Sequence, residues 1–263
     1  MNFLLIGRPG TGKTTAAVTA CKFNPPGILI DVDGKAADMV NIRPLIKEGI
    51  VDVVTFKDRL VEDRLSTRAL HPNVPPKLQP TGYVNIIDVL NDIVDGDEKY
   101  AKYNTFILDS LTRLTEHLTR LLVYHRGKGL FGKKIDDDMN WPSWGSYKAN
   151  LEEAFNVLCA SDKTFVCVAH EKIMTDNQTT MVGSQVVESQ IVTAYKPFVD
   201  GQMRDKLAGY FNECYYMDVK TKKGASTYAF RTSGAKYDAR TSLPLKELVE
   251  PDLNKILTMA ANT

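Results

Sequence analysis

Gly7-Arg8-Pro9-Gly10-Thr11-Gly12-Lys13-Thr14 satisfies G-x-x-x-x-G-K-[ST] at every fixed position. No other stretch constrains the folding of this chain as tightly. The motif works only as a loop that leaves a β-strand and opens an α-helix. The apolar run at residues 2–6 supplies the strand, and residues 13–22, with Ala and Thr facing inward, supply the helix. Glycines let successive backbone N–H groups turn inward, and the helix N-terminus adds partial positive charge, so the loop suits phosphate. The cradle is expected to run through Gly7, Arg8, Pro9, Gly10, Thr11, Gly12, Lys13, Thr14 and Thr15. Lys13 would reach the β- and γ-phosphates, and Thr14 would place its hydroxyl on Mg²⁺. A Gly-rich turn that binds nothing is the competing reading; the strand, Lys-Thr pair and helix in register argue against it.

The remaining chain alternates strand and helix patterns, which predicts an α/β fold with a largely parallel sheet. Buried strands are read at 28–32, 50–56, 104–108 and 164–169, and helices at 83–95, 111–125 and 148–160. A charged helical stretch is read at 57–70, followed by a loop holding Pro72, Pro75, Pro76 and Pro80. Residues 126–145 read as a long loop, and 173–190 are polar without a period. Residues 211–219 and 226–232 alternate like antiparallel strands about a turn at Lys223-Gly224, and 245–257 reads as one or two closing helices. At 263 residues and 43% hydrophobic content, one core is expected: a single domain over 1–263, its core at about 1–210 and its antiparallel extension and C-terminal helix at about 211–263.

Composition excludes several classes. No apolar run approaches the ~20 residues that cross a bilayer. Phe3-Leu4-Leu5-Ile6, stopped by Gly7 and Arg8, falls short of the ~7 residues of a secretory leader core. A cytoplasmic protein without membrane partners is therefore expected. Four scattered cysteines without a C-x-x-C pair argue against a disulfide framework or a zinc site. With a net charge of +1, any nucleic-acid contact must come from local patches.

A carboxylate is needed beside Thr14 to position Mg²⁺. Asp109, ending Thr105-Phe106-Ile107-Leu108, is the candidate, because an Asp closing a buried strand is costly unless paired or metal-linked. Ser110 follows it and can cap the next helix. Since Ser110 is not a Glu, the base that activates water must lie elsewhere. Asp31 and Asp33 close the second strand on one face, and Asp33, nearer the strand end, is the expected base. The alternative is that both carboxylates simply end the strand in solvent. His170, just past strand 164–169, is placed to contact the γ-phosphate or the attacking water, or else is a satisfied structural histidine. His117 and His125, eight residues apart, are too far apart for one zinc and are assigned no role.

Gly7–Thr15, Leu29–Asp33, Ile107–Leu111 and Val168-Ala169-His170 together resemble the RecA-like branch of P-loop ATPases. More narrowly, with Pro197–Gly201 running on to Gly209-Tyr210-Phe211, the chain resembles phage-encoded nucleotide-binding proteins grouped with Sak-type single-strand annealing ATPases. The resemblance covers residues 3 to about 257. It implies ATP at Gly10, Gly12, Lys13, Thr14 and Thr15, with Mg²⁺ near Asp109. Asp33 matches a position usually held by a catalytic Glu, and His170 one often held by a Gln that links nucleotide state to a DNA-binding loop, here 173–190. One strand, with 164–169 the candidate, is implied between the P-loop strand and the Asp109 strand. The resemblance also implies a homo-oligomer, ring or filament, whose neighbours donate a Lys–Arg pair in trans; Lys236 and Arg240, taken as one face of a helical turn, are the candidates. If phage-encoded, the protein would work in the cytoplasm of the host cell.

Single-strand binding combines cations with stacking aromatics. Arg126, Lys128, Phe131, Lys133 and Lys134, followed by Trp141 and Trp144, form the most suitable stretch, although Asp136-Asp137-Asp138 offsets its charge. A solvated surface loop with the tryptophans packed on the core is the plain alternative. The expected function is thus an ATP-binding, ATP-hydrolysing protein acting on single-stranded DNA in recombination or replication, with a single-strand DNA-binding protein as a further partner. A P-loop kinase of a small acceptor and a non-enzymatic nucleotide switch or loader are the alternatives. No arginine-rich lid supports the kinase, and the missing Glu after Asp109 keeps the switch open.

Overall fold

The computed structural model describes residues 1–62, 78–125, 139–182, 185–222 and 224–263. Strands β1 (Asn2–Gly7), β2 (Gly27–Asp31), β3 (Val51–Thr55) and β6 (Thr105–Asp109) form a parallel core together with β7 (Thr164–Val182) and β9 (Glu213–Lys222). Its order is β9-β1-β7-β6-β2-β3. Strands β10 (Ala225–Arg231) and β11 (Leu248–Val249) extend the β9 edge antiparallel, and β8 (Gln185–Pro197) returns antiparallel along the outer part of β7. This is a mostly parallel α/β sheet flanked by helices, with a C-terminal antiparallel extension. One strand, β7, stands between the P-loop strand and the Asp109 strand, as the resemblance implies.

Strands β1, β2 and β6 and the first part of β7 read as near-continuous apolar runs because both faces are covered, whereas edge strand β3 carries Asp52 and is only partly buried. In β1, Leu4 and Ile6 pack against α3 (Gly82–Asp95), α4 (Leu111–His125) and α5 (Trp141–Ala160). Phe3 and Leu5 face the other way, onto α1 (Lys13–Val18), α2 (Arg43–Lys47) and α7 (Leu253–Ala261). Alternate side chains thus serve two separate cores, as the period of two requires. Each wholly buried Leu or Phe contributes about 1.5–3 kcal/mol by leaving water.

Several expected elements differ. The helix from Lys13 tightens into a 3₁₀ turn at Thr19–Lys22. Within the charged stretch expected to be helical, Leu60–Glu62 is instead a short strand, β4, paired with β5 (Leu78–Pro80); the residues between them lie outside those described. Helix α5 begins at Trp141, well before residue 148, because Asn140 caps it: its Oδ1 accepts from Ser143 N at 3.1 Å, with Pro142 in the first turn. The expected loop at 173–190 is a paired ribbon, with Thr175 opposite Val192 and Gln178 opposite Ser189. Residues 175–179 and 188–191 are exposed, so no face is buried and no period appears. The closing segment holds β11 as well as a helix, α7, whose cap is Asp252.

Candidate nucleotide site

Strand register brings the predicted residues to one edge of the sheet. Gly7 lies opposite His170, while Asp31 lies opposite Asp109 and Asp109 opposite Val168. A cavity of about 1040 Å³ opens there, lined by P-loop residues, Asp33, Asp109 and His170. Gly10 at φ +76° and Gly12 at φ +86° hold left-handed backbone that side-chain-bearing residues rarely adopt, which lets the loop curl around the cavity.

Lys13 is 5% exposed, and its Nζ donates to the carbonyls of Gly7 at 2.8 Å and Arg8 at 2.7 Å. Burial lowers its ammonium to about 8, against the attraction of Asp109, Glu171 and Asp33. Thr14 Oγ1 donates to Asp109 Oδ2 at 2.5 Å. Burial raises the Asp109 carboxyl to about 6, with Asp33 and Asp31 adding to the rise, while the Thr14 bond and Lys13 oppose it. The hydroxyl and carboxylate therefore meet at the floor of the cavity, ninety-five positions apart in sequence. Both are hard oxygen donors, which fits Mg²⁺, an ion that takes few protein ligands and keeps waters and phosphate oxygens. Among the described residues no cluster of three or more His, Cys, Asp or Glu could enclose a metal, and Mg²⁺ with nucleotide needs none.

The two carboxylates closing β2 divide. Asp31 is occupied structurally: its oxygens accept from Gly34 N at 2.7 Å and Ala36 N at 2.8 Å, fixing the turn. Burial is the main cause of its raised pKa, partly offset by those bonds. Asp33 keeps 22% side-chain exposure and faces Ser110 Oγ at 3.5 Å, Arg113 Nε at 3.5 Å and His170 Nε2 at 3.9 Å. Burial, and then the nearby Lys13, lower the His170 pKa, which favours the neutral ring. Its backbone N–H donates to Thr112 Oγ1 at 3.1 Å, anchoring β7 to α4 at the point where its pairing with β1 ends. His170 thus lies within the strand rather than just past it. Ser110 Oγ accepts from Arg113 N at 3.4 Å, so Ser110 caps α4 while Asp109 stays free to face Thr14.

A family profile described as an AAA domain matches residues 1–243. The chain belongs to this AAA-domain family. No curated protein matches it. Among solved structures, a KaiC-like protein from the hyperthermophilic archaeon Pyrococcus horikoshii is 13% identical, with a TM-score of 0.42 over 87% of this chain and 77% of that one. The flagellar accessory protein FlaH from Methanocaldococcus jannaschii is 10% identical, with a TM-score of 0.39 over 88% of this chain and 76% of that one.

Two contacts of the AAA domain escaped the sequence reading. Arg8, expected as part of the cradle, also ion-pairs through Nε with Glu171 Oε1 at 2.8 Å, and Tyr216 OH donates to the other oxygen of Glu171. This ties the P-loop to the first residue of the ribbon. Arg113, to which the sequence reading gave no role at the site, stands beside Asp33. Its position on α4, three residues after the cap, is the signal that could have flagged it.

The trans pair is placed differently from expectation. Residues 236–240 form no helical turn: Tyr237 bridges to Tyr195 and Arg240 to Cys214 in extended backbone. The Arg240 guanidinium donates to the carbonyls of Phe211 and Gly209 in its own chain, whereas Lys236 is exposed. Arg126, Lys128, Phe131, Lys133 and Lys134 lie outside the described residues. Of the tryptophans that follow them, Trp141 is 85% exposed at the start of α5, and Trp144 packs edge-on against Tyr147 at 5.5 Å. Among the described residues, no helix is long and apolar enough to cross a membrane.

Proposed function

We propose that this AAA domain binds ATP with Mg²⁺ and hydrolyses it. The observation that carries the reading is the Thr14–Asp109 hydrogen bond at the floor of a cavity that also holds Lys13 and Asp33. The chain's groups divide the work. P-loop N–H groups and Lys13 hold the phosphates, with Lys13 exchanging its two backbone carbonyl partners for phosphate oxygens. Thr14 and Asp109 would hold Mg²⁺, which supplies charge neutralisation at the β- and γ-phosphates. Asp33 accepts the proton of the attacking water, and neutral His170 beside it orients that water.

The finer proposal is action on single-stranded DNA, as an oligomer, in phage-type recombination or replication. Its support is the motif resemblance, the exposed Trp141 that follows the basic stretch beyond Asp136-Asp137-Asp138, and the ribbon that leaves the cavity at His170 and Glu171. Aromatic stacking beside cations is sequence-tolerant single-strand recognition. The test is the ATPase rate with and without single-stranded DNA. A DNA-stimulated rate supports both levels, an unstimulated rate leaves only the ATPase, and tight ATP binding without turnover returns a switch. One observation favours that second reading: Asp33 already faces Arg113 and His170, so an attacking water would have to compete with these partners for its oxygens.

A further inference from the structure

The cavity has two chemically different ends. Asp33, Asp109, Arg113 and His170 belong to the β2, β6 and β7 side of the P-loop. On the β9–β10 side the lining consists of Met217, Tyr228 and Pro251, none of them charged. Tyr228 reaches this position through strand register. Ile6 lies opposite Tyr216, so Val219 sits three residues beyond it, roughly 10 Å further toward the cavity edge at about 3.3 Å per residue. Tyr228 pairs with Val219 and so overhangs the loop that follows β1. Phe230, two residues on and therefore on the same face, is buried against α1 and α7, which places Tyr228 on the α1 face of the sheet. Its ring is close enough to the P-loop that a Cβ added to Gly12 would lie 3.8 Å from Tyr228 Cδ1.

This ring is nonetheless 43% exposed, and among the described residues it has no hydrogen bond or ring partner. An unpartnered aromatic overhanging a phosphate loop, with a methionine and a proline beside it and no charge, suits a flat heterocycle. We infer that Tyr228 stacks on the base of the bound nucleotide, so that the C-terminal antiparallel extension supplies the nucleobase site while the P-loop supplies the phosphate site. This deepens the nucleotide reading and rests on it. Stacking recognises a π-face rather than a hydrogen-bond pattern, so the ligand class is a nucleoside triphosphate whose base is held by area.

The test is calorimetric binding of Mg²⁺-ATP and of Mg²⁺-tripolyphosphate, which has phosphates and no base, to the full chain and to Tyr228→Ala and Tyr228→Phe. The expected result is an ATP affinity about ten-fold weaker or more in Tyr228→Ala, restored in Tyr228→Phe, with tripolyphosphate affinity equal in all three. Wild-type ATP affinity in Tyr228→Ala overturns the inference. Equal loss of both ligands in Tyr228→Ala also overturns it, since the ring would then only support the loop. If the wild-type chain binds neither ligand, the nucleotide reading itself fails and the base site falls with it.

Discussion

Two stretches leave the sheet edge at the cavity, and they are built on opposite principles. The P-loop folds inward: Lys13 bonds to Gly7 and Arg8, Thr14 to Asp109, and Lys13 and Asp109 are 5% and 6% exposed. The ribbon of β7 and β8 runs outward, its strands paired with each other and residues 175–179 and 188–191 exposed. Glu171, at the ribbon's root, ties the two together through Arg8. A buried polar cluster gains strong electrostatics from exclusion of water, whereas an exposed ribbon adds little to the core and offers backbone and side chains to a partner. On the proposed function, substrate affinity and chemistry belong to the first region, and the second is the proposed site of any response to DNA.

Breaking the inward region should have the largest effect. Lys13→Ala removes the point charge aimed at the phosphates, and ATP turnover should fall on the order of 10²–10³-fold or below detection. Wild-type turnover in that variant, measured with magnesium present, would remove the P-loop from the chemistry. Next in size is Asp33→Asn, which should lower turnover by about 10²-fold while ATP affinity stays within a few-fold, as loss of a general base requires. Turnover that survives would shift the role to another carboxylate, with Glu171 next because it adjoins His170.

A third effect separates Asp109 from its neighbours without any ligand. The native Asp109 carboxyl keeps its proton up to about 6, while an unfolded Asp loses it near 3.8. Between those values the native state binds more protons, so ionisation of this group costs stability as pH rises through the window. Asp109→Asn stays neutral, so the ligand-free variant should gain on the wild type between pH 4 and 6, on the order of 2–3 kcal/mol. Denaturant midpoints measured across that range check it; a constant difference between the two proteins would contradict the burial argument.

The smallest effect on the fold should come from the outward region. Replacing residues 176–191 by a two-residue turn should leave basal turnover and ATP affinity within about two-fold, since residues 176–179 and 188–191 are exposed. DNA stimulation, if the ribbon carries it, should disappear in the same protein. A collapse of basal turnover would instead mean that the ribbon holds Glu171 and His170 in place, and the division between the two regions would have to be redrawn.

The fold was legible where burial is complete. Strands β1, β2 and β6 and the first part of β7 are near-continuous apolar runs because helices cover both sheet faces, and that pattern survives in one dimension. It fades at residues 173–190, where strands exposed on both faces have no reason to alternate, and at the start of α5, where a single Asn cap outweighs a Gly145 in the second turn. The Lys236–Arg240 spacing suggested a helical face, but long-range pairing of Arg240 with Cys214 holds that segment extended.

By itself the sequence determined the phosphate loop, because a strand, a glycine-rich turn and a helix start are all local and their spacing leaves one geometry. It also determined which carboxylate closes each buried strand. Only the tertiary structure decided what those carboxylates do. Asp31 and Asp33 look interchangeable in sequence, yet the turn after β2 spends Asp31 on the N–H groups of Gly34 and Ala36 and leaves Asp33 facing the cavity. Likewise Tyr228 is an unremarked tyrosine in the chain, and register across β10, β9 and β1 alone brings it over Gly12. Local motifs fix backbone shape, while the partners of a side chain depend on strands that meet only after the whole sheet has assembled.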